Sequence, residues 1–133
     1  MKLLIRSTIV VVAMLFLSGG ASPKVLTEGH MHQLAIAGVR ANAPGALRDP
    51  IGFERFSAEG YSVFQAISNV GEGSVGFYAI DPRTGDMWNP NSECDEITSP
   101  EIRRLQQRYR RELGLTASNY LKIRRRGPMC EKR

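Results

Sequence analysis

The chain has 133 residues, with 18 Lys and Arg against 13 Asp and Glu, a net charge of +5 at pH 7, and 42% hydrophobic residues. That length leaves room for one domain and excludes a multidomain assembly. The two cysteines, Cys94 and Cys130, are 36 positions apart, which excludes the Cys-x-x-Cys spacing of a thiol-redox pair.

Lys2 and Arg6 make a positive start, and Ser7 to Leu17 is an apolar run of 11 residues. A membrane-spanning helix needs about 20. Ser18, Gly19, Gly20 and Ala21 follow, with small residues one and three positions before a cut at Ser22. Residues 1–21 are therefore expected to be a cleaved signal peptide. The remainder, 22–133, is expected to be a single small exported domain, periplasmic or secreted, with no transmembrane segment in the mature chain. Two cysteines in an exported chain most often pair, so a Cys94–Cys130 bridge is expected. In the loop-entropy model it would contribute about 4 kcal/mol.

Charge divides the mature chain. Ser22 to Pro100 holds five basic residues against ten acids, and Glu101 to Arg133 holds eleven against three. An acidic part over 22–98 thus precedes a basic part over 99–133. Such asymmetry points either to an anionic partner or to contact between the two parts.

Thr27 to Ala43 places Met31, Leu34, Ala35, Gly38 and Val39 at helical spacing. Thr27 suits the N-cap, and Pro44-Gly45 ends the helix. Phe53 to Trp88 reads as an antiparallel meander. Phe53–Ser57 is a short strand, Ala58-Glu59-Gly60 a turn, Tyr61–Val70 a β-rich strand and Ser74–Ile80 the next. Asp81 to Asp86 forms a turn in which Asp81 accepts N–H groups and Gly85 takes the left-handed position. Met87-Trp88 begins the return. Thr98 and Glu101 fit a capping box, with Pro100 in the first turn. Ile102, Leu105, Tyr109 and Leu113 then make an inward stripe, and Gly114 caps the end. Thr116 to Arg124 reads as a second short helix, with Tyr120, Leu121 and Ile123 inward. The expected class is α+β. An N-terminal helix packs on a three- to four-stranded antiparallel meander, followed by one or two basic C-terminal helices stapled by the disulfide.

The segment Tyr78 to Trp88, with Asp81, Thr84, Gly85 and Asp86 at its turn, resembles the closing hairpin of PepSY-type domains. These are small exported modules in which a helix packs on a short antiparallel sheet. The resemblance covers roughly Thr27 to Trp88. It implies a module that binds or inhibits an exported enzyme, and it brings no catalytic residues with it.

Little else suggests chemistry. His30 and His32 stand i and i+2 on a helix, about 200° apart, so they cannot share a metal there. Gly71, Gly73 and Gly76 have neither a strand-to-helix setting nor a phosphate-loop lysine. The scattered Ser, Thr and Asp form no nucleophile–base–orienter set. No cofactor and no metal are expected. The feature that exceeds what solubility requires is the basic segment: Arg103, Arg104, Arg108, Arg110, Arg111, Arg124, Arg125 and Arg126. On the helix from Pro100, Arg103, Arg104, Arg110 and Arg111 are expected to point outward.

The first functional reading is a non-enzymatic exported binding module, an inhibitor or accessory protein of an envelope or secreted enzyme. The second is a binder of anionic envelope surface, lipid or lipopolysaccharide, through the arginines. The third is a small hydrolase with an unrecognised site. Nucleic acid is not an expected partner for a protein delivered by this signal.

Overall fold

The computed structural model describes residues 24–71 and 73–128. The signal peptide expected over 1–21 lies outside them. So does Cys130, and with it the second end of the expected staple.

Helix α1 runs Glu28–Asn42, and the Thr27 side chain caps it by accepting from the His30 N–H. Met31, Leu34, Ala35, Gly38 and Val39 are buried, together with Ala37. Gly38 is there for closeness: a Cβ at that position would lie 2.6 Å from the Tyr78 ring. A 3₁₀ turn, Pro44–Arg48, leads into the sheet.

The sheet has five antiparallel strands in sequence order: β1 Ile51–Ala58, β2 Tyr61–Ser68, β3 Ser74–Ile80, β4 Met87–Asn89 and β5 Asp95–Glu96. The expectation of three or four strands is corrected to five. The two-residue β5 is too short to leave a periodic signal. Glu59 (φ 49°) and Gly60 (φ 84°) close the first hairpin in the left-handed conformation that a two-residue connection favours. Gly85 is also left-handed, at φ 76°, as its place in the turn requires.

Helix α2 spans Pro100–Glu112, and α3 spans Ala117–Arg124. The cap of α2 is Ser99, not Thr98: the Ser99 hydroxyl accepts from the Ile102 N–H. Gly114 (φ 65°) ends the helix with its N–H on the Arg111 carbonyl, and the Leu115 N–H bonds the Arg110 carbonyl. Helices α1 and α2 share one face of the sheet, where Leu34, Phe64, Tyr78, Ile80, Met87, Ile102 and Tyr109 form the main core. Leu105 and Leu113 are only partly buried at its edge. On the other face Tyr61, Val63, Ala79 and Trp88 form a smaller cluster. Adjacent residues on a strand face opposite ways, so Tyr78 enters the first cluster and Phe77 packs on the second. The chain after α3 reaches this second face, where the Tyr61 hydroxyl donates to the Gly127 carbonyl. Leu121, expected to pack inward, is exposed.

Candidate functional site: the seam between the acidic and basic parts

The site grows out of the Asp81–Asp86 turn. The backbone closes it: the Asp81 N–H bonds the Asp86 carbonyl at 2.9 Å, and the Gly85 N–H bonds the Asp81 carbonyl at 2.7 Å. Asp81 accepts from the Arg83 N–H and from both ends of the Arg83 guanidinium, at 2.8–3.0 Å. That pairing raises the Arg83 pKa further above its usual value. Thr84 uses its hydroxyl twice, donating to Asp86 Oδ2 and accepting from the Asp86 N–H, both at 3.1 Å.

Asp86 is thereby aimed inward, with its side chain 2% exposed. A carboxylate taken out of water needs donors or counter-charges, and the basic part supplies them. Arg110 Nη2 lies 2.6 Å from Oδ1, the Tyr120 hydroxyl donates to Oδ1 at 3.1 Å, and Arg124 Nη1 lies 3.3 Å away. Arg110 also donates to the Thr84 carbonyl and stacks over the Tyr120 ring, 4.0 Å from its centre. Gln106, buried, donates to the Gly85 carbonyl at 2.9 Å. Arg124 grips Glu96 with both ends of its fork, at 3.0 and 2.7 Å. This bond raises the Arg124 pKa, and it holds the Glu96 carboxyl below its usual value. Burial, and after it the nearby Asp86 carboxylate, pushes the Tyr120 phenol up. With both Asp86 oxygens engaged, the residue acts as a counter-charge that joins the two parts, not as an open base. Beside it lies an open cavity of about 240 Å³, lined by Thr98, Arg103, Gln107, Arg110, Tyr120 and Arg124 among others.

The eight arginines singled out from the sequence therefore divide. Arg110, expected to point outward, turns in toward Asp86; the seam, not solvent, is its partner. Arg124 bridges Asp86 and Glu96. Arg126 donates to the Glu59 carbonyl and sits over the Tyr61 ring. Arg103 is exposed and donates to the Thr98 hydroxyl at 3.1 Å. Arg108 is exposed, with its guanidinium over Tyr109. Arg104, Arg111 and Arg125 are exposed and make no ion pair among the described residues.

The histidines diverge as their spacing demands. His30 stacks on Tyr109 at 4.2 Å and approaches Glu112, whereas His32 meets the Phe53 ring edge-on. Among the described residues no group of three or more His, Cys, Asp or Glu is placed to hold a metal. No described helix is long and apolar enough to cross a membrane. Tyr120 and Glu96 were not foreseen as parts of the seam. Tyr120 four positions before Arg124, on one side of α3, was the available signal; Glu96 had none.

No family model matches the chain, and no curated protein matches it. Among solved structures it is similar to a chain from the structure of a type VI secretion system effector–immunity complex from Pseudomonas protegens. The identity is 20%, the match covers 76% of this chain and 88% of that one, and the TM-score is 0.58. At that identity the likeness concerns the fold.

Proposed function

We propose that this chain is a non-enzymatic exported binding module that engages, and inhibits, a protein partner outside the cytoplasm. One observation carries the reading: the fold matches a chain of an effector–immunity complex over most of both lengths. Either component of such a complex has a surface that meets another protein. The PepSY-like hairpin at Tyr78 to Trp88 supports the same class of role. The leader over residues 1–21 and the Cys94–Cys130 staple belong to the proposal, since both suit an exported protein. Thiol labelling of unreduced protein should then find no free sulfhydryl.

The test is capture from the envelope fraction of cells that produce the protein, with the tagged full-length chain processed by the cell as bait. A partner recovered in a stoichiometric complex, whose activity falls on complex formation, is the expected result. Recovery of no stoichiometric protein would overturn the reading.

A further inference from the structure

Helix α2 sorts its charges by direction. Residues advance roughly 100° around a helix, and Ile102, Gln106 and Tyr109 fix the buried side. One flank carries Arg110 into the Asp86 seam. The other flank carries the helix's two acids to α1: Glu101 bonds Arg40, and Glu112 faces His30 at 3.5 Å. What remains is the back of the helix. Arg104, Arg108 and Arg111 stand there at i, i+4 and i+7, roughly opposite the buried side, and all three are exposed. Every acid on α2 is directed elsewhere, so this stripe has no counter-charge on its own helix. Like charges at this spacing weaken a helix, and no ion pair among the described residues offsets them.

We infer that the stripe Arg104, Arg108 and Arg111 is the docking surface for an acidic patch of a protein partner, an inference that rests on the binding role proposed above. Three features favour carboxylates of a protein over an anionic membrane. The guanidinium fork matches a carboxylate two bonds at a time. A helix that lies on lipid presents apolar side chains beside its cations, whereas Ile102, Leu105 and Tyr109 are spent on the core. Gln107, exposed between the stripe and the Arg103 side, adds a neutral hydrogen-bonding group suited to a polar protein surface. Arg103 continues the patch to the mouth of the 240 Å³ cavity.

The test uses the purified, cell-processed protein and two probes, poly-L-glutamate and phosphatidylglycerol vesicles, at low and at high salt. Two double variants carry the same charge change. R104E/R111E alters the stripe, and R48E/R125E alters exposed arginines outside it. Wild type should bind poly-L-glutamate in low salt and lose that binding in high salt. R104E/R111E should weaken it at least tenfold with an unchanged melting temperature, and R48E/R125E should weaken it less than threefold. Equal losses in the two variants would reduce the effect to net charge and overturn the proposal. So would tighter binding to the vesicles than to the polypeptide, or no binding of wild type to poly-L-glutamate. The same variants separate this inference from the reading beneath it. A partner captured equally well by wild type and by R104E/R111E leaves the binding role standing and removes this surface. Failure to capture any partner removes the role itself.

Discussion

Arg110 and Arg111 are neighbours in sequence, identical in chemistry and opposite in use. The first lies against Asp86 with its side chain 20% exposed, and the second faces solvent without an ion pair among the described residues. A step of roughly 100° around α2 makes the difference. The same division runs through the whole basic part, with Arg110, Arg124 and Arg126 turned to the acidic part and Arg104, Arg108 and Arg111 turned away. The positive charge of the C-terminal part thus serves two purposes. One share holds the two parts together, and the other is the surface proposed above for a partner. Composition measures only their sum.

The largest effect should come from removing the counter-charge. Asp86→Ala leaves Arg110 without its buried carboxylate partner, and removal of one partner from a buried pair costs about 3–5 kcal/mol. Urea unfolding followed by circular dichroism should show that loss. A change below about 1 kcal/mol would mean that the seam is not what joins the parts.

A smaller loss is expected where the turn aims Asp86. Gly85→Val places a β-branched residue at φ 76°, with its Cβ 3.3 Å from Leu26 and 3.7 Å from Gln106. A non-glycine residue held in that region costs about 1–3 kcal/mol. The substitution also presses on the residue that hydrogen-bonds the Gly85 carbonyl. The sharper sign is structural: the Tyr120 hydroxyl, bonded to Asp86, should become more protected from exchange in wild type than in the variant. A neutral substitution would break the link between turn and seam.

How much of this could be read in advance follows the range of each interaction. The turn was legible because its signals lie within six residues: Asp81 as acceptor, Gly85 for the left-handed step, Thr84 and Asp86 between strands. Half of the inward stripe of α2, Ile102 and Tyr109, was legible from its period; Leu105 and Leu113 are only partly buried, and the buried Gln106 breaks the apolar pattern. The contact between acidic and basic parts was one of the two consequences drawn from the charge split. Its particulars were not, since Asp86 meets Arg110 and Tyr120 at 24 and 34 positions' distance. Helical periodicity says that two flanks exist; it does not say which flank finds an acid. Leu121 was misplaced because α3, at eight residues, contains no buried residue to define a face.

Acid should loosen the seam weakly. The Arg124 hydrogen bond holds the Glu96 carboxyl below its usual value near 4.5. A lowered carboxyl stabilises the fold above its unfolded value, and that contribution disappears as pH falls through the folded value. Stability should therefore begin to drop just below pH 4.5 and continue downward. The pair is half-exposed, so the part owed to Glu96 stays below about 1 kcal/mol. Glu96→Gln should flatten the acid limb of the stability curve by that amount. An unchanged limb would assign the acid sensitivity to other carboxyls.

The smallest expected effect is the most discriminating. Arg110→Ala removes a hydrogen bond to a buried carboxylate, an interaction worth about 1.5–3 kcal/mol. Arg111→Ala removes no ion pair among the described residues, and alanine is the better helix former by a few tenths of a kcal/mol. It also relieves repulsion from Arg108, three positions earlier, by about 0.2–0.5 kcal/mol. The substitution should thus leave stability unchanged or raise it slightly, within about 0.5 kcal/mol. Arg104→Ala should behave alike, because Arg108 stands four positions after it. Added salt sharpens the contrast, since screening weakens repulsion along an exposed stripe more than it weakens a buried pair. The small gain from Arg111→Ala should shrink in high salt, while most of the loss from Arg110→Ala persists. Comparable losses for Arg110→Ala and Arg111→Ala in paired urea melts would show that both arginines are structural, and α2 would then have no charge to spare for a partner.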